Sequence, residues 1–116
     1  MPVMIDSSVQ HMQKCIDACN KCMQACEECL NSCMREPDVQ GRIKCMQILH
    51  DCADICSLAS QFMARNSLYA KDICILCANI CEACARECRM FHDSHCQACA
   101  DACQQCAQEC LNMARM

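Results

Sequence analysis

The stretch CIDACNKCMQACEECLNSC, residues 15–33, decides the fold. Its cysteines, Cys15, Cys19, Cys22, Cys26, Cys29 and Cys33, follow one another at alternating steps of four and three. Residues at those steps share one face of an α-helix, the face on which a helical bundle keeps its apolar core. The same ruler returns in residues 74–88, with Cys74, Cys77, Cys81, Cys84 and Cys88, and in residues 96–110, with Cys96, Cys99, Cys103, Cys106 and Cys110. A sparser copy lies between them: Cys45, Leu49, Cys52, Cys56, Ala59 and Met63, in which Leu49 and Ala59 read as ordinary packing residues. Thiols therefore stand where Leu, Ile and Val are expected.

Outward from these stripes, the punctuation marks four helices. Nineteen cysteines accompany one glycine, two prolines and three aromatics, so the frequent turn residues of a β-sandwich are missing and helix-favouring residues dominate. Asp6, Ser7 or Ser8 offers an N-cap, and Pro37 forbids continuation of the first helix. A second helix is expected from about Asp38, crossing Gly41 at some cost. Asn66 suits a left-handed C-cap and Ser67 an N-cap, while Asp93 or Ser94 caps the fourth helix. The reading is one all-α domain over residues 1–116, with helices at about 8–34, 38–65, 67–91 and 93–115. Connections this short make sequential helices antiparallel neighbours, giving an up-down-up-down four-helix bundle. Ile16, Met23, Leu30, Ile73, Ile80, Ala100, Ala107 and Ala114 flank the stripes and can hold the helices together.

The chemistry of so many aligned thiols is narrower than it first looks. A core of small thiols packs poorly, so packing alone does not account for nineteen in register. Disulfides between successive cysteines on one helix face would constrain little. The Cys-x2-Cys steps Cys74/Cys77 and Cys96/Cys99 are weak signals alone, and no compact ferredoxin run ending in proline exists. Zinc held by four thiolates carries excess negative charge, so stacking several such sites in one core is costly.

Monovalent copper fits on three counts. Cu(I) prefers soft thiolate and thioether ligands. Exchanging one thiol proton for one Cu(I) leaves the charge unchanged. Two metal–sulfur bonds of about 2.3 Å span roughly 4.6 Å, within reach of side chains four apart on a helix. Eight Cys-x3-Cys pairs are present: Cys15/Cys19, Cys22/Cys26, Cys29/Cys33, Cys52/Cys56, Cys77/Cys81, Cys84/Cys88, Cys99/Cys103 and Cys106/Cys110. Cys45, Cys74 and Cys96 stand outside them and would bridge across helices. Charge neutrality limits filling to about one ion per thiolate, on the order of fifteen to twenty per chain. Zinc, an iron–sulfur cluster and a low-stoichiometry metal chaperone or sensor stay open as alternatives that stoichiometry separates.

The repeated Cys-x3-Cys pairs on all four helices, from Cys15 to Cys110, resemble the copper storage proteins, Cys-lined four-helix bundles that hold many Cu(I) ions. The resemblance implies ligation by those pairs and a homotetramer of bundles. The start of the chain has no basic n-region and no long apolar run, which predicts a cytoplasmic protein similar to the cytosolic branch of that family. No basic stripe accompanies the formal net charge of −4, so nucleic acid is not an expected partner, and no apolar run reaches membrane-spanning length. No Ser, His and Asp constellation or Gly-rich phosphate loop is visible, so no enzymatic activity is expected.

Antiparallel topology gathers Met12, Met63 and Met113 at one pole, where they extend the cysteine stripes either as a thioether mouth with His11 as helper or as an apolar plug. The opposite pole carries His92 and His95, and His95, next to Cys96, is a candidate ligand. His50, Glu27, Glu28 and Asp101 are expected on outer faces.

Overall fold

Pro37 and Gly41 end one helix and delay the next. The computed structural model describes residues 7–116, with side chains from Val9 onward, so the N-cap expected from Asp6, Ser7 or Ser8 lies outside what is described. Helix α1 spans Ser7–Cys33, α2 Ile43–Ala64, α3 Ala70–Cys88 and α4 Ser94–Ala114, with a short 3-10 turn at Val39–Arg42 ahead of α2. Each helix packs against two neighbours, α1 on α2 and α4, α3 on α2 and α4, which makes a four-cornered bundle.

The helix bounds differ from expectation at three places. The second helix does not cross Gly41. Instead the Gly41 amide donates to the Asp38 carbonyl at 2.9 Å in the 3-10 turn, and α2 begins only at Ile43. The third helix starts at Ala70, because Ser67 Oγ accepts the Tyr69 amide at 3.0 Å in a turn of its own. It stops at Cys88, three residues before Phe91. Asn66 has φ of 52°, the left-handed conformation expected of it, and closes α2.

All nineteen cysteines are buried, and all carry free thiols. Leu49, Ala59 and Met63 fill the sparse stripe of α2 with no exposure at all. Ile16, Leu30 and Ile55 are buried at the flanks, with Met23, Ile73 and Ile80 packed against them. These apolar side chains lie between helices and owe nothing to metal. The reduced, copper-free protein is therefore expected to give the same far-UV helical signal as the loaded one; a coil-like spectrum on demetallation would contradict this. Leu49→Ala should lower stability in urea by about 2–5 kcal/mol, since it empties the largest fully buried apolar site.

Candidate metal centre

The helical register aims the four stripes at a common axis, and the sulfurs form a continuous column along it. Near one end Cys15 lies 3.5 Å and Cys19 3.7 Å from Cys110, and Cys106 is 3.6 Å from Cys19. Further along, Cys22 is 3.7 Å from Cys103 and 3.8 Å from Cys52, while Cys56 stands 3.7 Å from both Cys77 and Cys81. Cys26 lies 3.8 Å from Cys99, and Cys45 reaches Cys88 at 3.9 Å. At the far end Cys96 is 3.7 Å from Cys29 and 3.8 Å from Cys33. Cys74 borders Cys15 and Cys110, and Cys84 borders Cys26 and Cys103.

The ligand atoms gather into quartets whose members all lie within 4.8 Å of one another. They include Cys19, Cys77, Cys106 and Cys110; Cys22, Cys52, Cys56 and Cys81; Cys22, Cys26, Cys52 and Cys103; and Cys56, Cys77, Cys81 and Cys106. Shared members such as Cys22 and Cys56 link one quartet to the next, so sites along the column are bridged.

Sulfur spacing says which coordination suits them. Sulfurs bound at about 2.3 Å stand roughly 4.6 Å apart in a linear pair, about 4.0 Å in a trigonal set and about 3.8 Å in a tetrahedral one. The Cys-x3-Cys pairs Cys29/Cys33 and Cys77/Cys81 are 4.0 and 3.8 Å apart, closer than the linear clamp their sequence spacing suggests. These two separations match sets of three or four better than a linear pair.

Hydrogen bonds between thiols also separate their acidities. The Cys77 thiol is held well below the usual range, chiefly by the neighbouring Cys106 thiol. Cys84 is held down in the same way, chiefly by Cys103. Cys103 and Cys106 are pushed up, through their bonds to Cys22 and Cys110 respectively. Burial pushes all four upward, so the lowering at Cys77 and Cys84 comes from their neighbouring thiols.

The two poles differ. At one, Met12 and Met113 are buried at the end of the column and line a cavity of about 360 Å³ with His11, Asn66, Lys71 and Met116. His11 is exposed, and Met63 is fully buried and does not line the cavity. At the other pole Cys29, Cys33, Cys96 and His95 make a mixed quartet, with His95 Nδ1 at 3.4 Å from Cys29 and 3.6 Å from Cys96. His95 Nε2 faces Asp93 at 2.9 Å and Glu36 at 3.2 Å, which turns the Nδ1 lone pair towards the sulfurs. His92, His50, Glu27, Glu28 and Asp101 are exposed.

Three residues at this pole escaped the sequence reading. Asp93 does take the N-cap position of α4, but its carboxylate makes no capping bond; it grips the Arg42 guanidinium at 2.7 and 3.1 Å. That partner holds the Asp93 carboxyl below the usual carboxylate range, and Asp93 in turn raises Arg42. Glu36 joins through His95. The only hint in the chain is a cation placed directly after a helix-breaking glycine.

A family model described as copper storage protein matches residues 8–115. The chain is 46% identical over 88 residues to the uncharacterized cysteine-rich protein YhjQ of Bacillus subtilis strain 168, covering 76% of this chain and 82% of that one. It is similar to the structure of Cu(I)-bound copper storage protein BsCsp3, with 47% identity, a TM-score of 0.85 and coverage of 90% and 98% of the two chains. It is also similar to a cytosolic copper storage protein from Streptomyces lividans holding five coppers, at 33% identity and a TM-score of 0.89, covering 95% and 97%. The buried column predicts that a bulky disulfide reagent finds no fast-reacting thiol in the native reduced protein and all nineteen after denaturation; several fast thiols in the native state would contradict it.

Proposed function

Because the chain belongs to the copper storage protein family, we propose that its thiol column is a cytosolic store that takes up many Cu(I) ions and so keeps them from other cellular thiols. All nineteen cysteines serve as ligands: Cys15, Cys19, Cys22, Cys26, Cys29 and Cys33 from α1; Cys45, Cys52 and Cys56 from α2; Cys74, Cys77, Cys81, Cys84 and Cys88 from α3; Cys96, Cys99, Cys103, Cys106 and Cys110 from α4. The observation that carries the reading is the chain of interlocking quartets, in each of which the ligand atoms lie within 4.8 Å of one another. A regulator or a structural site needs one such set. A column of them is a container.

Each ion entering displaces a thiol proton, so filling leaves the interior charge unchanged. His95 completes the mixed quartet through Nδ1, while Met12 and Met113, with Met63 deeper, pass ions to Cys15 and Cys110 from the cavity beside His11. The reading assigns no catalytic step, a homotetrameric assembly after the family, and a cytosolic place after the Streptomyces relative.

Anaerobic titration of the reduced protein with Cu(I) against a competing chelator tests the store. Saturation is expected at on the order of fifteen to twenty equivalents per chain; saturation at one to four overturns the reading. His95→Ala should weaken the tightest few equivalents while leaving most of the total capacity, and an unchanged binding curve would remove His95 from the ligands.

A further inference from the structure

The mixed quartet at the His95 pole has an unexpected composition for a Cu(I) store. Three cysteines and one histidine, Cys29, Cys33, Cys96 and His95, are the ligand set of a structural zinc site. Around it stand three carboxylates, Glu36, Asp38 and Asp93, whose negative charge would draw a divalent cation further. Of all the quartets described, this one is the most open to capture by zinc.

Against it lies Arg42, 5% exposed, with its guanidinium stacked at 4.4 Å over the Phe91 ring. Nη1 donates towards Cys96 Sγ at 3.5 Å and Cys33 Sγ at 3.6 Å, as well as to Asp93 at 3.1 Å. Nη2 donates to Asp93 and Nε to Asp38, each at 2.7 Å. The 3-10 turn that interrupts the chain before α2 carries this side chain inward. One cation thus pairs with two of the three acids and presents N–H groups to two ligand sulfurs.

We propose that Arg42 is a specificity-determining residue, a fixed positive charge that biases the Cys29/Cys33/Cys96/His95 quartet towards monovalent copper and against divalent zinc. The physical reason is a charge difference. A monovalent ion leaves the three thiolates one unit more negative than a divalent ion does, and a guanidinium beside the sulfurs stabilises the more negative state. Hydrogen bonds from Nη1 act in the same direction, since a sulfur that keeps more charge accepts them better. Without Arg42 both effects vanish, and Glu36, Asp38 and Asp93 are left to favour the divalent ion. Arg42 touches ligands and no metal, so it is a positioning residue.

The proposal rests on reading the column as a Cu(I) store, and the test separates the two. Full-length reduced wild type, R42M and R42K are titrated anaerobically with Cu(I) against a chelator, and with Co(II) followed by Zn(II), the visible bands of tetrahedral Co(II)–thiolate reporting divalent occupancy. R42M is expected to shift the first-equivalent preference from Cu(I) towards Zn(II) and Co(II) by about tenfold or more, and R42K to stay near wild type. A merely structural role would weaken both metals together; an unchanged ratio in R42M overturns the proposal, as does loss of selectivity in R42K. Should R42M not fold, D38N decides: removing an exposed partner of Arg42 must move the ratio about twofold the other way, and an unmoved ratio overturns it. If wild type saturates at one to four Cu(I), the storage reading fails; if capacity holds and the ratio does not move, only the role of Arg42 fails.

Discussion

Register between helices is the constraint on which this molecule depends. A cysteine side chain is two bonds long and cannot search for partners, so sulfurs share an ion only if the backbones already hold them at about the right separation. The bundle does this by giving all four helices the same alternating step and packing each against two neighbours. The result is cross-helix distances such as 3.7 Å between Cys22 and Cys103 and 3.6 Å between Cys52 and Cys81. Larger residues at the same positions would push the helices apart and lose those distances; smaller ones would leave voids. Thiols occupy the intermediate size at which core packing and coordination agree.

Much of this was legible because helix periodicity is a strong signal. The steps of three and four at Cys15 to Cys33 give a helix, its buried face and the direction of every sulfur at once. Asn66 was equally readable, since a left-handed residue at a helix end favours few side chains. What was not legible depends on contacts far apart in sequence. Nothing near Gly41 says that Arg42 will cross 51 positions to meet Asp93, or that Asp93 will forgo its capping bond to do so.

The poles give the column a direction. One end has thioethers beside an apolar cavity, a soft and weakly holding surface. The other is closed by a guanidinium, a stacked phenyl ring and a histidine tied to two carboxylates. The α2 stripe, with Leu49, Ala59 and Met63 in place of sulfur, lends apolar volume to a core that is otherwise unusually rich in small residues.

The heptad ruler also limits how such a chain can change over time. Loss or gain of one residue within a helix turns everything beyond it by about 100°, which would swing every later thiol out of the column together. Insertions of seven or eleven residues return to within about 20° and leave the sulfurs nearly in line, and in a closed bundle the facing helices must lengthen in step. Capacity in this architecture therefore grows by layers, in discrete increments, and point substitution can subtract from it far more easily than it can add.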